Sequence, residues 1–249
     1  MEVTGTPFMA YNIRAPTHQH FQYNETFQEY FSLSAPPDTK IWRKPGSQDN
    51  TSAPMVLTSL HQPFILAEVT VSVDLDIEGD QAGLVIFAGA SPSTAIGPSL
   101  RRRRTPCLLN GQVEDLNGRW AKASVELSNG EPVMSSTVAN PGCGPDWTLT
   151  PLCPCDEGQM QALRVKLEKV DDSLWIWYKI PDSSALSCEF RSVAEASMEW
   201  RKVREVSGFF NGVDSKYGLT IGCYVSRPMP LEDDEKNVLF AEFEDLDVM

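Results

Sequence analysis

Apolar residues in this chain recur at every second position. Val69, Val71, Val73, Leu75 and Ile77 alternate with Thr70, Ser72, Asp74 and Asp76. Ala82, Leu84 and Ile86 alternate with Gln81, Gly83 and Val85, and Ala121, Ala123, Val125 and Leu127 with Trp120, Lys122, Ser124 and Glu126. Leu163, Val165 and Leu167 continue the pattern, as do Leu219, Ile221, Cys223 and Val225, and then Leu239, Ala241 and Phe243. Leu174 to Tyr178 is an aromatic-rich strand, apolar on both faces. A period of two gives each strand one apolar face and cannot be laid along one side of a helix. Glu78-Gly79-Asp80, Asn117-Gly118, Asn129-Gly130, Asp171-Asp172 and Pro181-Asp182 punctuate the runs as turns. Asn129-Gly130 suits a tight hairpin, since both residues tolerate positive φ. Many short strands with such turns mean a sandwich or barrel.

The 249 residues suffice for one such unit. We expect an N-terminal arm over 1–20 and a single domain over 21–249, with no internal repeat. Inserted surface loops are expected near 89–116, around Arg101-Arg102-Arg103-Arg104, and near 141–158, rich in proline and cysteine. The modest helical candidate, Ser192–Arg204, also reads as a strand from Met198 onward.

A formal charge of −13 argues against nucleic acid or an anionic membrane as partner, because both need a cationic surface. Met1–Ile13 lacks a basic segment followed by an apolar one, so no signal peptide is expected. Six cysteines then read as free thiols, and the expected location is cytoplasmic. Cys143, Cys153 and Cys155 lack knuckle spacing, and His18, His20 and His61 lie far upstream, so no metal is expected. No phosphate-cradling loop, nucleophile elbow or dinucleotide fingerprint occurs, so no cofactor is expected either.

Four blocks resemble a known family. They are Asp80-Gln81-Ala82-Gly83-Leu84; Trp120-Ala121-Lys122-Ala123-Ser124-Val125-Glu126; Asp146-Trp147-Thr148; and Tyr217-Gly218-Leu219 through Ser226-Arg227-Pro228, closing with Phe240-Ala241-Glu242-Phe243. Lys40-Ile41-Trp42-Arg43 and Trp200-Arg201-Lys202-Val203-Arg204 fit as well. Their order and spacing resemble the DUF1349 family, concanavalin A-like proteins that include the fungal regulation-of-enolase type. The resemblance implies an all-β, concanavalin A-like jelly-roll sandwich of two antiparallel sheets with one concave face. It implies no single activity.

On the Trp120 strand, Trp120, Lys122, Ser124 and Glu126 all project away from the apolar set. An acid and a base on one face, beside an aromatic, form a candidate ligand floor. Gln81 joins it from another strand, with Trp42, Trp147 and Arg204 expected at the rim. Indoles offer flat apolar surface to a sugar ring or polyene, while Lys, Glu and Gln fix polar groups. The plainer alternative is a Lys122–Glu126 surface pair worth ~0–1 kcal/mol on a solvated sheet. A retaining glycosidase is disfavoured: Glu242 and Glu244 share a face, but no third acid follows as in laminarinase-like relatives of the fold. Arg101–Arg104 can grip an anion or simply be a solvated loop. Three functions remain open: a module binding a glycan or small organic ligand, a cofactor-free isomerase or cyclase using Lys122 and Glu126, and a protein-interaction regulator of metabolism. Oligomeric state is not legible.

Overall fold

The computed structural model describes residues 8–13, 30–44, 49–60, 62–89, 108–109, 112–113, 118–153, 160–181, 199–213, 218–229 and 237–249. Among these, regular structure is entirely strand: β1 (Met9–Tyr11), β2 (Tyr30–Ala35), β3 (Ile41–Trp42), β4 (Asn50–Thr51), β5 (Met55–Leu60), β6 (Leu66–Val73), β7 (Gln81–Ala88), β8 (Leu108–Leu109) and β9 (Gln112–Val113) in the first half. There follow β10 (Arg119–Ser128), β11 (Glu131–Ala139), β12 (Pro145–Pro151), β13 (Gln161–Val170), β14 (Ser173–Lys179), β15 (Arg201–Val206), β16 (Leu219–Ser226) and β17 (Leu239–Val248). One sheet has seven strands in the order β1-β5-β16-β7-β10-β11-β12, the other six in the order β15-β14-β13-β6-β17-β2. Two-stranded ribbons, β3-β4 and β8-β9, complete it. All ladders are antiparallel.

The alternation explains the layering. Ala82, Leu84 and Ile86, Ala121, Ala123 and Val125, and Ile221, Cys223 and Val225 come from the seven-stranded sheet. They share one buried core with Val69, Val71 and Val73, Leu163, Val165 and Leu167, and Ala241 and Phe243 from the other. Each fully buried Val or Leu stabilises the fold by about 1.5–3 kcal/mol. The two outer faces differ. On β6, buried residues alternate with half-buried ones, as on a sheet with one wetted side. On β7 every residue is buried, so something covers the outer face of the seven-stranded sheet. At one end the cover is a second apolar cluster: Tyr11 from β1, Ile41 and Ala53 beside the β3-β4 ribbon, and Trp120, Phe87 and Tyr224 beneath them.

Several expectations change. The first long strand stops at Val73 rather than Ile77, because Asp80 Oδ2 accepts the Asp76 and Ile77 backbone N–H groups and holds that stretch as a turn. The 141–158 stretch is not all loop: Pro145–Pro151 is the edge strand β12, where proline is tolerated because one side of the ladder is unpaired. Within 89–116, β8 and β9 form a ribbon. Met9–Tyr11 of the expected arm pairs with β5 as the opposite edge. The helical candidate ends as strand β15; its residues up to Met198, with Arg101–Arg104, Cys155, His18, His20 and His61, lie outside the described residues. Glu242 and Glu244 sit on an interior strand, β17, between β6 and β2. The Asn129-Gly130 hairpin has φ of 55° and 76°.

Candidate functional site

Register assembles the site. Glu126 on β10 lies opposite Gln81 on β7, Ser124 opposite Gly83, and Lys122 opposite Val85. Tyr224 on β16 faces Gly83 from the other side. On β11, Ser135 lies opposite Ser124 and Thr137 opposite Lys122, and Trp147 of β12 is the next partner of Thr137. Period-two geometry therefore places Gln81, Lys122, Ser124, Glu126, Ser135, Thr137, Trp147 and Tyr224 on one face. The strands approach closely at Gly83, where a Cβ would stand 2.1 Å from the Ala123 carbonyl oxygen.

Lys122 does not stand straight up from its position. Its Nζ donates to Gln81 Oε1 (2.5 Å), although Gln81 is the cross-strand partner of Glu126, four residues further along β10. The side chain thus leans along the sheet toward Glu126, passing 5.7 Å from the centre of the Tyr224 ring. Tyr224 donates its hydroxyl to the same Gln81 oxygen (2.8 Å), and the Gln81 amide nitrogen donates to the Gly79 carbonyl (3.1 Å). The glutamine is thereby fixed with its acceptor toward Lys122 and Tyr224. On the far side of Glu126, the Trp147 indole donates to Ser135 Oγ (3.0 Å).

Electrostatics follow from burial. Lys122 is 3 % exposed and Glu126 5 %. Burial brings the Lys122 ammonium down to about 8, with the Glu126 charge pulling the other way. Burial likewise raises the Glu126 carboxyl above the ordinary range, against the Ser135 hydroxyl, the Lys122 charge and the Trp147 indole. Burial pushes the Tyr224 phenol well up. Burial therefore draws both members of the acid–base pair toward their neutral forms, the amine and the carboxylic acid. Glu126 Oε2, Ser124 Oγ and Thr137 Oγ1 are buried, on this same face, with no hydrogen-bond partner of good geometry. Such atoms cost about 1–3 kcal/mol each when left unmade.

Of the expected site residues, Lys122, Glu126, Gln81 and Trp147 come together. Trp120 corrects the expectation of a free indole surface: it is 1 % exposed inside the second apolar cluster, and its N–H donates to Asp49 Oδ2 (3.0 Å). Asp49 is clamped in turn by Arg43, whose Nε lies 2.6 Å from Oδ1. Trp42 sits half-buried in the β3-β4 ribbon, paired with Asn50, on the Trp120 side. Arg204 is a second correction. It pairs with Ile176, not on the Trp175 and Trp177 side of β14, and bonds Asp146 and the Thr148 hydroxyl. Asp146 and Thr148 point opposite to Trp147, so Arg204 joins the sheet edges away from the site. Cys143 and Cys153 are exposed, and Cys223 is buried in the core.

Tyr224, Ser135 and Thr137 were not anticipated. Tyr224 was visible as an outward residue of the Leu219–Ser226 run, alternating with Cys223 and Val225. Ser135 and Thr137 lie in a run, Glu131–Ala139, with too little apolar contrast to reveal its faces.

Residues 17–247 match the model of a family described as a protein of unknown function, DUF1349, and the chain belongs to that family. An uncharacterized protein of Emericella nidulans is 30% identical over 206 residues, 82% of this chain and 80% of that protein. Among solved structures, a xylan β-1,4-xylosidase of Bacillus halodurans is similar at TM-score 0.50 and 15% identity over 87% of this chain, and a GH43 protein of Bacillus licheniformis at 0.50 and 12% over 87%. The chain spans 32% of the length of each of those two chains, and what is shared is the fold. A legume lectin-like domain of Entamoeba histolytica aligns over 90% of this chain and 91% of its own at TM-score 0.45 and 7% identity. The architecture is the concanavalin A-like jelly-roll sandwich of two antiparallel sheets.

Proposed function

We propose that this chain binds a glycan or other small polar organic ligand in the cytoplasm, on the outer face of its seven-stranded sheet. The observation that carries the reading is the set of unpartnered buried oxygens, Glu126 Oε2, Ser124 Oγ and Thr137 Oγ1, gathered around a lysine on one face. A purely structural network would close its hydrogen bonds. This one keeps acceptors and hydroxyls that a ligand's own hydroxyl or carbonyl groups would complete. Gln81 and Tyr224 hold Lys122 in place, and Trp147, 47 % exposed, offers an indole at the edge.

The test is a glycan array together with a metabolite pull-down read by mass spectrometry, using the parent protein and Lys122→Ala. A compound retained by the parent and lost from a folded Lys122→Ala supports the reading. Equal retention by both places binding elsewhere. A second reading, a cofactor-free acid–base enzyme at the same position, draws support from Lys122 and Glu126 both being pulled toward neutrality by burial. Turnover of the retained compound would separate the two.

A further inference from the structure

Lys122 is set up differently from the other lysines whose contacts are described. Lys166 and Lys202 reach carboxylates, Glu168 and Glu205, each at 3.5 Å, and are partly exposed. Lys122 is buried and donates instead to a neutral amide oxygen, Gln81 Oε1. A buried ammonium held by a carboxylate stays charged and inert; one held by an amide loses its proton readily and presents a lone pair. One of its donor positions is fixed by Gln81, whose oxygen also takes the Tyr224 hydroxyl proton, while the flank carries Ser124 and Thr137, whose hydroxyls are the right groups to hold a carbonyl oxygen. The lean toward Glu126 supplies a proton donor and acceptor along the same line.

Resting on the ligand site proposed above, we propose that Lys122 Nζ is a nucleophile that condenses with the carbonyl carbon of an aldehyde or ketone ligand to form an imine. The neutral amine attacks the carbon, a C–N bond forms, and the C=O π pair moves to oxygen. Glu126 delivers a proton to that oxygen and takes one from the nitrogen, leaving a neutral carbinolamine. Glu126 then protonates the hydroxyl, the C–O bond breaks, and water leaves. The nitrogen lone pair closes the C=N bond as a protonated imine, balanced by the Glu126 carboxylate. No oxidant, reductant or metal enters the balance.

The probe is benzaldehyde with sodium cyanoborohydride, which reduces an imine to a stable secondary amine, read by intact mass and peptide mapping. The expected result is one adduct at Lys122, formed at least tenfold faster than at any other lysine. Its rate should fall as pH drops below about 8, where the amine takes up its proton. Glu126→Gln should slow that adduct at least tenfold while leaving labelling of exposed lysines unchanged, which a merely structural role would not do. Adducts spread over exposed lysines with Lys122 unmodified would overturn the proposal. If Lys122 stays unmodified while a retained glycan or metabolite still depends on it, the ligand site stands and the imine alone falls. If Lys122 is labelled but no retained compound depends on it, the reverse holds for noncovalent recognition.

Discussion

Asp80 and Gln81 are neighbours in the chain, yet their side chains enter polar clusters of opposite character. Asp80 meets Arg227 at the end of β16: Nε bonds Oδ1 at 3.0 Å, Nη2 bonds Oδ2 at 2.6 Å, and Nη2 also reaches Asp76 at 2.8 Å. Asp80 Oδ2 accepts two backbone N–H groups as well, and Thr39 exchanges backbone and hydroxyl bonds with Arg227. Both charges are wholly buried and paired in a bidentate fork. Gln81, one residue on, shares its oxygen between Lys122 and Tyr224 in a cluster that leaves three buried oxygens open. Closed hydrogen bonding marks a clamp between the 76–80 turn, the Thr39 segment and β16. Open hydrogen bonding at equal burial marks a place built for something else to complete.

The sharpest way to break this contrast is to remove a charge from each cluster. Arg227→Met leaves Asp80 buried without its cation and should cost about 3–5 kcal/mol, read as a lower urea midpoint with unchanged slope. Lys122→Met should not cost comparably. Equal losses in the two variants would mean that both clusters are structural.

A pH series sharpens the same point. Burial holds the folded Lys122 near 8, below its ordinary value of 10.5. The unfolded chain therefore binds more protons between those two values, and stability from this group rises with pH across that window. Below about 8 the penalty of the buried charge is fully present, and above about 10.5 it is gone. Lys122→Met should accordingly gain on the parent at pH 7 by up to about 3 kcal/mol, offset in part by the donor lost from Gln81. The gap should narrow as pH rises from 8 to 10. A difference independent of pH would show that Lys122 is not stranded in the fold. The opposite member, Glu126, is raised, so stability from this group falls as pH climbs above the ordinary carboxylate range, where the unfolded chain has ionised and the folded carboxyl still holds its proton.

Binding should respond less in free energy but more selectively. Lys122→Ala and Glu126→Ala are each expected to weaken the retained ligand at least tenfold, about 1.4 kcal/mol, by calorimetric titration. Arg43→Ala, at the closed Trp120 end, should act on stability instead, since it takes the guanidinium away from the Asp49 carboxylate that also accepts from the Trp120 indole. If Arg43→Ala retains full stability and loses the ligand, the functional face extends to that end.

How much of this was legible follows from which physical signals are local. Ala121, Ala123 and Val125 against Lys122, Ser124 and Glu126 announce their two faces by period alone, so the β10 floor was readable. The bearing of Gln81 on Lys122 needed cross-strand register, to which the DUF1349-like blocks pointed. Trp120 misled because an outward side chain on a sheet is exposed only if nothing covers it. Its cover, Tyr11, Ile41 and Ala53, comes from distant segments whose own sequences give no hint of docking there. Arg204 misled because its side is set by the pairing of β15 with β14, whose register slips between Ile176 and Trp177. Pro145–Pro151 looked like a loop because its prolines and its half-exposed edge position erase the apolar contrast that identifies interior strands.

Arg204 gives the smallest expected effect and the cleanest control. Its guanidinium bonds Asp146 and the Thr148 hydroxyl between the edge strands β15 and β12, and the Asp146 side chain is 65 % exposed. Water reaches the carboxylate, so desolvation is slight and salt screens the attraction. Removing the cation leaves Asp146 hydrated rather than stranded, unlike Asp80 after loss of Arg227. Arg204→Ala should therefore change stability by about 0–1 kcal/mol, diminishing further at high ionic strength, and leave ligand affinity within twofold of the parent. A tenfold loss of affinity in Arg204→Ala with stability intact would mean that the ligand reaches round the β12 edge to Trp147 and beyond. The open cluster would then be only part of a longer site.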